Sequence, residues 1–262
     1  MNVPSKARLA SSFACALAIA LGIRVSGAPE PLQQRVPFVS CPSDGQAGYV
    51  APPAGGPRLV SAEDVSIEQI AFYKGGTAPG AFAPRGWHCH VWYGSGAGVL
   101  LVTPEPWNDP APGTAWPPKT SGQAIELVLH DSGASGRYEV AKFALLFFPR
   151  TAEDFIKSVN ELGIVSISQA SLRPYAKDLV TTIDDTMAEF VTPSNSEGFG
   201  TEQYLRPSSE PISGIAFLDQ SKFGPNFVAL RVRLNETTSQ LKSSLLRLNR
   251  ECLAERQGCS TR

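Results

Sequence analysis

The chain is poor in charge and in histidine, and it has no long apolar run beyond its first two dozen residues. Asp, Glu, Lys and Arg make up 18% of the 262 residues, histidine occurs three times, and the formal net charge is −1. With no basic excess, no nucleic-acid partner is expected, because such a partner needs a basic face. The run Phe143 to Phe148 is stopped by Pro149 after six residues, far short of the roughly 20 that a membrane span needs. Cys-x-x-Cys is absent, and no internal repeat is visible. The G-x-S-x-G elbow of serine hydrolases is also missing. At Ser95 the preceding glycine stands one position too close, and at Ser135 the position of the second glycine holds Arg137. Both stretches read as turns. A Ser95–His130–Asp131 set is the kind of trio any chain of this size offers by chance. No cofactor motif is present, and no cofactor is expected.

What the chain does have begins at its start. Lys6 and Arg8 precede an apolar run from Leu9 to Ile23, broken only by Ser11 and Ser12, and Ser26, Gly27 and Ala28 follow. This is the layout of a secretory signal peptide. Residues 1–28 are therefore expected to direct export to the periplasm or beyond, with cleavage after Gly27 or Ala28. Removing three bases (Lys6, Arg8 and Arg24) and no acids leaves 20 basic and 24 acidic residues, a net charge of −4.

Four cysteines remain after that cleavage: Cys41, Cys89, Cys252 and Cys259. An even number in an oxidising compartment reads as disulfides. Three pairings are possible. Local spacing favours Cys252 with Cys259, and hence Cys41 with Cys89. Roles as thiol nucleophiles or zinc ligands are the weaker reading.

Residues 29–60 are rich in Pro, Gly and Ala and read as an extended arm. Residues 61–262 read as one globular domain. Ser61 and Asp64 resemble a capping box and predict a short helix from Ala62 to about Tyr73. Trp87–Tyr93 and Val99–Thr103 flank a glycine-rich turn, which predicts a hairpin. Ile125, Leu127 and Leu129 alternate with Glu126, Val128 and His130, as a strand requires. The stripe Tyr138, Ala141, Leu145 and Phe148 predicts a helix, and Ala152–Leu162 predicts a second one that stops at Gly163. Thr181–Val191, Gly214–Leu218 and Asn226–Leu234 read as extended. Leu241, Leu245, Leu248 and Cys252 line one face of a C-terminal amphipathic helix. Hairpins without strict strand–helix alternation predict an α+β domain with a mainly antiparallel sheet, stapled by disulfides.

Few side chains stand out chemically. On a strand, His88, His90 and Trp92 share one face, and Trp87, Cys89, Val91 and Tyr93 share the other. Two histidines at this spacing can hold a metal ion if a third ligand joins them. Glu126 and His130, together on one face of another strand, are the candidates. That set would make the protein a metal-dependent hydrolase. The stronger reading is polar surface, since nothing in the sequence places the two strands side by side. Asp184, Asp185 and Glu189 could serve as paired carboxylates, but they read better as a solvated face. Arg231 and Arg233 read as sheet-surface cations rather than an anion site. Trp107 and Trp116, in a loop with six prolines, join Trp92 as aromatic side chains able to grip a ligand. Asn235-Glu236-Thr237 is a glycosylation sequon, relevant only in a eukaryotic host.

The segments Cys41-Pro42-Ser43-Asp44-Gly45-Gln46 and Ala83-Pro84-Arg85-Gly86-Trp87-His88-Cys89 resemble a family of exported bacterial proteins that has no assigned activity. Pro211–Ala216 and Leu230–Leu234 fit the same pattern. The resemblance implies a bacterial envelope location and brings no catalytic residues. It agrees with a Cys41–Cys89 bridge. The function expected from all of this is non-catalytic: binding of an envelope ligand or protein.

Overall fold

The computed structural model describes residues 33–61, 65–106, 119–133, 135–221, 224–255 and 259. The expected signal segment, Trp107 and Trp116 lie outside the described residues.

Thirteen strands are present among them. They are β1 (Gln33–Val36), β2 (Phe38–Ser40), β3 (Ser43–Gly45), β4 (Arg58–Ser61), β5 (Ile70–Lys74), β6 (Ala81–Pro84), β7 (His88–Tyr93), β8 (Ala97–Thr103) and β9 (Ala124–His130), then β10 (Leu179–Thr182), β11 (Met187–Thr192), β12 (Ile212–Ser221) and β13 (Gly224–Arg233). Helices α1 (Arg137–Phe147) and α2 (Glu153–Glu161) fall between β9 and β10, and α3 (Lys242–Ala254) closes the order. The fold is α+β. An eight-stranded sheet runs β10-β11-β12-β13-β9-β8-β7-β3, with a three-stranded sheet β2-β5-β6 and a ribbon β1-β4 beside it. Only the β2–β5 and β3–β7 pairings are parallel.

The central strands of the large sheet are buried on both faces. Val91, Leu100, Val102, Ile125, Leu127, Ile215, Val228, Leu230 and Val232 point to one side, where the small sheet and the Leu245–Leu248–Leu253 stripe of α3 cover them. Phe190, Ala216, Leu218, Phe227 and Ala229 point to the other, under α1 and α2. Phe199 sits between Phe147 at 4.8 Å and Phe190 at 4.9 Å, both edge-on. That geometry is the one ring quadrupoles favour, and each buried ring contributes about 2–3 kcal/mol by area alone.

The 62–73 helix does not form as predicted. Residues 65–69 make a single 3-10 turn, and Ile70–Lys74 continue as β5. Every side chain from Ile70 to Tyr73 is buried, so the period of two is erased and the run reads equally well as helix. The 181–191 stretch is a hairpin, not one strand. The Asp184 carboxylate caps its turn by accepting from the Thr186 and Met187 N–H groups. Of the expected arm, residues 29–60, the described part contributes β1 to β3 and most of β4 and belongs to the same compact unit as the strands that follow.

Two disulfides are in place, Cys41–Cys89 across 48 residues and Cys252–Cys259 across seven. The first ties the start of the chain to β7, and the second ties down the end of α3. No helix among the described residues is long and apolar enough to cross a membrane.

Candidate functional site

His88, His90, Glu126 and His130 do lie on one face of the large sheet, but they do not converge. Cross-strand register places His90 opposite Leu101 and Leu101 opposite Glu126, so a leucine separates the two. His130 is four residues further along β9, about 13 Å by strand rise. His88 is exposed. The Glu126 carboxylate is also fully committed: Oε1 accepts from Arg231 Nη1 at 2.5 Å, and Oε2 accepts from the Tyr204 N–H at 2.8 Å. Among the described residues no three His, Cys, Asp or Glu side chains are placed to hold a metal. The four candidate ligands are therefore not brought together: Glu126 belongs to a buried ion pair, with the histidines at its margins.

Trp92 is likewise not a surface aromatic. It is buried, 4.3 Å from the His90 ring and 5.9 Å from that of Tyr204. Arg231 and Arg233 are not sheet-surface cations either, since both are wholly buried. Arg231 donates to Glu126 and, through Nε, to the Phe199 carbonyl, and its guanidinium lies 4.6 Å from the Phe199 ring centre. Arg233 spends its donors on the carbonyls of Gly122, Thr120 and Arg206. It thereby pins two loops to the end of the sheet. Glu189, weighed as a catalytic carboxylate but read as part of a solvated face, forms an ion pair with Arg250 on α3.

The buried row ends beneath a cleft of about 430 Å³. Lys119, Tyr175, Glu197, Glu202 and Arg206 line it, with Pro174 and Pro207 at its walls. The loops that Arg233 holds supply Lys119 and Arg206. Lys119 Nζ donates to the Thr201 carbonyl at 3.1 Å. Behind the wall, Lys142 of α1 donates to Glu202 at 2.8 Å and to Glu139 at 3.3 Å.

Charge states in this corner follow from those contacts. Burial opposes the Lys142 charge, but its hydrogen bonds to Glu202 and Tyr175 outweigh that and hold the ammonium above the usual lysine range. Burial likewise favours neutral Glu202, yet Lys142 wins and the carboxyl sits low. Burial pushes the Tyr175 phenol up. His130, packed 5.3 Å from the Phe143 ring, is driven down to about 3, first by burial and then by Arg231 and Lys142. Its Nε2 is buried without a hydrogen-bond partner.

No family model matches the chain, and neither a curated protein nor a solved structure proves similar to it.

The cleft went unseen in the sequence because its lining comes from separate segments at 119, 174–175, 197–202 and 205–207, two of them containing short 3-10 turns. Only sheet order brings these together. The available signal was the pair Arg231 and Arg233 on the same face as Phe227. Two arginines on a strand face shared with an aromatic fit a buried network as well as a surface.

Proposed function

We propose that this chain is an exported, non-catalytic binding or interaction protein of the bacterial envelope, and that the cleft is its contact site. The observation that supports the reading most directly is the charge state of the cleft wall and of the lysine behind it. Lys142 and Glu202 hold each other fully ionised, and Tyr175 is held protonated. General acid–base chemistry needs a group poised near the working pH. This trio instead offers fixed donors and acceptors, which suits recognition of a polar ligand. Both signs of charge line the opening, Lys119 and Arg206 against Glu197 and Glu202, so a ligand carrying both signs, such as a peptide or amino acid, matches it best. The signal-like start and the two disulfides are compatible with export.

The test is a thermal-shift panel on the mature protein with amino acids, short peptides, sugars and cell-wall fragments. One zwitterionic class is expected to raise Tm by several degrees, and the rise should vanish in Lys119→Glu/Arg206→Glu. Turnover of ester, peptide, phosphate or glycoside substrates that is lost in Glu202→Gln would replace binding with catalysis.

A further inference from the structure

Among the described residues, β10 ends the large sheet and has β11 on one side only. All four of its residues are exposed. Such an edge presents unpaired N–H and C=O groups and invites another strand. Natural edges are usually blunted by charge, proline or a bulge, but β10 itself reads Leu179-Val180-Thr181-Thr182. Ile183 follows directly. Leu179, Val180 and Ile183 are 66%, 39% and 42% exposed and are three of the eight large apolar side chains left open among the described residues.

The charges flanking this strand are asymmetric. Exposed Lys177 and half-buried Asp178 precede it, the latter with its carboxylate engaged by the Thr192 hydroxyl and the Phe199 N–H, and exposed Asp184 and Asp185 follow it. A second β10 laid antiparallel brings the exposed cation of each copy, Lys177, beside the acidic end of the other. Parallel pairing would set like charge against like.

Backbone geometry selects the register. The Ile183 N–H donates to the Met187 carbonyl of β11. By the period of two, Leu179 and Thr181 also turn their groups toward β11, and Val180 and Thr182 turn theirs to the open edge. A two-fold axis through Thr181 then pairs Val180 of one copy with Thr182 of the other, twice, and closes four backbone hydrogen bonds. The same axis sets Leu179 against Ile183 and Lys177 against Asp185 across the seam. The axis also sets Asp178 across from Asp184, but both carboxylates are engaged within their own copy, Asp178 by the Thr192 hydroxyl and the Phe199 N–H and Asp184 by its own turn, so the apolar pairs and the Lys177–Asp185 contact favour this register.

We infer that the protein forms a two-fold symmetric dimer through antiparallel β10–β10 pairing, making one continuous sixteen-stranded sheet across two copies. Strand addition of this kind takes its affinity from main-chain bonds and its specificity from side chains on the strand. Closed two-fold symmetry lets one self-complementary patch serve both copies.

Sedimentation velocity or light scattering on the mature protein, from low to high micromolar, tests this. A concentration-dependent dimer is expected. Thr182→Pro removes an outward N–H without touching the β11 ladder and should leave a monomer with an unchanged circular dichroism spectrum. Lys177→Asp and Asp185→Lys should each weaken the dimer about tenfold, since two symmetry-related contacts are lost at once, and the double reversal should restore it. A wild type that stays monomeric throughout, or a dimer indifferent to Thr182→Pro, overturns the proposal. So would a monomer that instead captures an added β-strand peptide at this edge, because the occupant would then be a different chain.

Discussion

Glu126 on β9 and Arg231 on β13 stand directly opposite each other in the sheet register, and both side chains are completely buried. The carboxylate also accepts from the Tyr204 N–H, and the guanidinium donates through Nε to the Phe199 carbonyl, while Arg231 Nη2 is buried without a hydrogen-bond partner. Taking two charges out of water costs several kcal/mol per ion, so a pair like this adds little net stability but is costly to break. Glu126→Gln should therefore destabilise the fold by about 3–5 kcal/mol in guanidinium unfolding, because it strands a buried cation. The double replacement Glu126→Leu/Arg231→Met should cost markedly less than the single one. If the single change proves nearly neutral, water reaches the pair and the site is not dry.

How far this was legible before the structure turns on particular residues. β9 and β13 declared themselves, because Ile125, Leu127 and Leu129, and likewise Val228, Leu230 and Val232, alternate with residues of different character. The hairpin at Gly94–Gly98 and the stop at Gly163, which sits at φ +67, were equally local. β5 was not legible, since Ile70 to Tyr73 are buried on both faces. Neither were the three-residue strands β2 and β3, which pair in parallel with distant partners. The ion pair is a harder case. Glu126 and Arg231 are 105 residues apart, and only knowing that β9 neighbours β13 turns a candidate ligand and a candidate surface cation into partners.

His130 makes the acid limb of the stability curve predictable in sign. In the fold it stays neutral down to about pH 3, whereas the unfolded imidazole takes its proton near 6.5. Below that value the unfolded state binds a proton that the native state refuses. The contribution of His130 is thus fully present above about pH 6.5 and is lost as pH falls toward 3, at up to about 1.4 kcal/mol per pH unit. His130→Leu should flatten the acid limb across this window, read from urea midpoints at several pH values. A limb of unchanged slope would mean that the ring is charged or solvated in the native protein.

The two disulfides should differ in weight. On the chain-entropy model the 48-residue loop closed by Cys41–Cys89 stabilises by about 4 kcal/mol, and the seven-residue loop closed by Cys252–Cys259 by about 2.5. Cys41 is fully buried in the main core, so Cys41→Ala also leaves β3 and β7 without their covalent tie. Chemical unfolding of Cys41→Ala/Cys89→Ala and of Cys252→Ala/Cys259→Ala should rank the first as the more damaging. Equal losses would show that the N-terminal strands hold their place by pairing and packing alone.

Three phenols should resist base. Burial pushes Tyr73 up to about 12 and moves Tyr175 and Tyr204 upward as well. Tyr73 is held on both sides, donating to the Pro84 carbonyl at 2.7 Å and accepting from the Trp87 N–H at 3.1 Å. Unfolded tyrosine loses its proton near 10, so above that pH the unfolded chain gains charge that the native state withholds. These groups therefore stabilise the fold below about pH 10, and the advantage drains away as pH climbs through their raised values. Phenolate absorbance of the native protein should reach no more than half of the six-tyrosine total before circular dichroism reports unfolding, and the remainder should appear with it. Tyr73→Phe should remove one of the delayed phenols and cost about 1 kcal/mol for the lost hydrogen bonds. If the whole absorbance step instead rises near pH 10 with the fold intact, water enters beside Tyr73 and the β5–β6 contact is looser than its geometry implies.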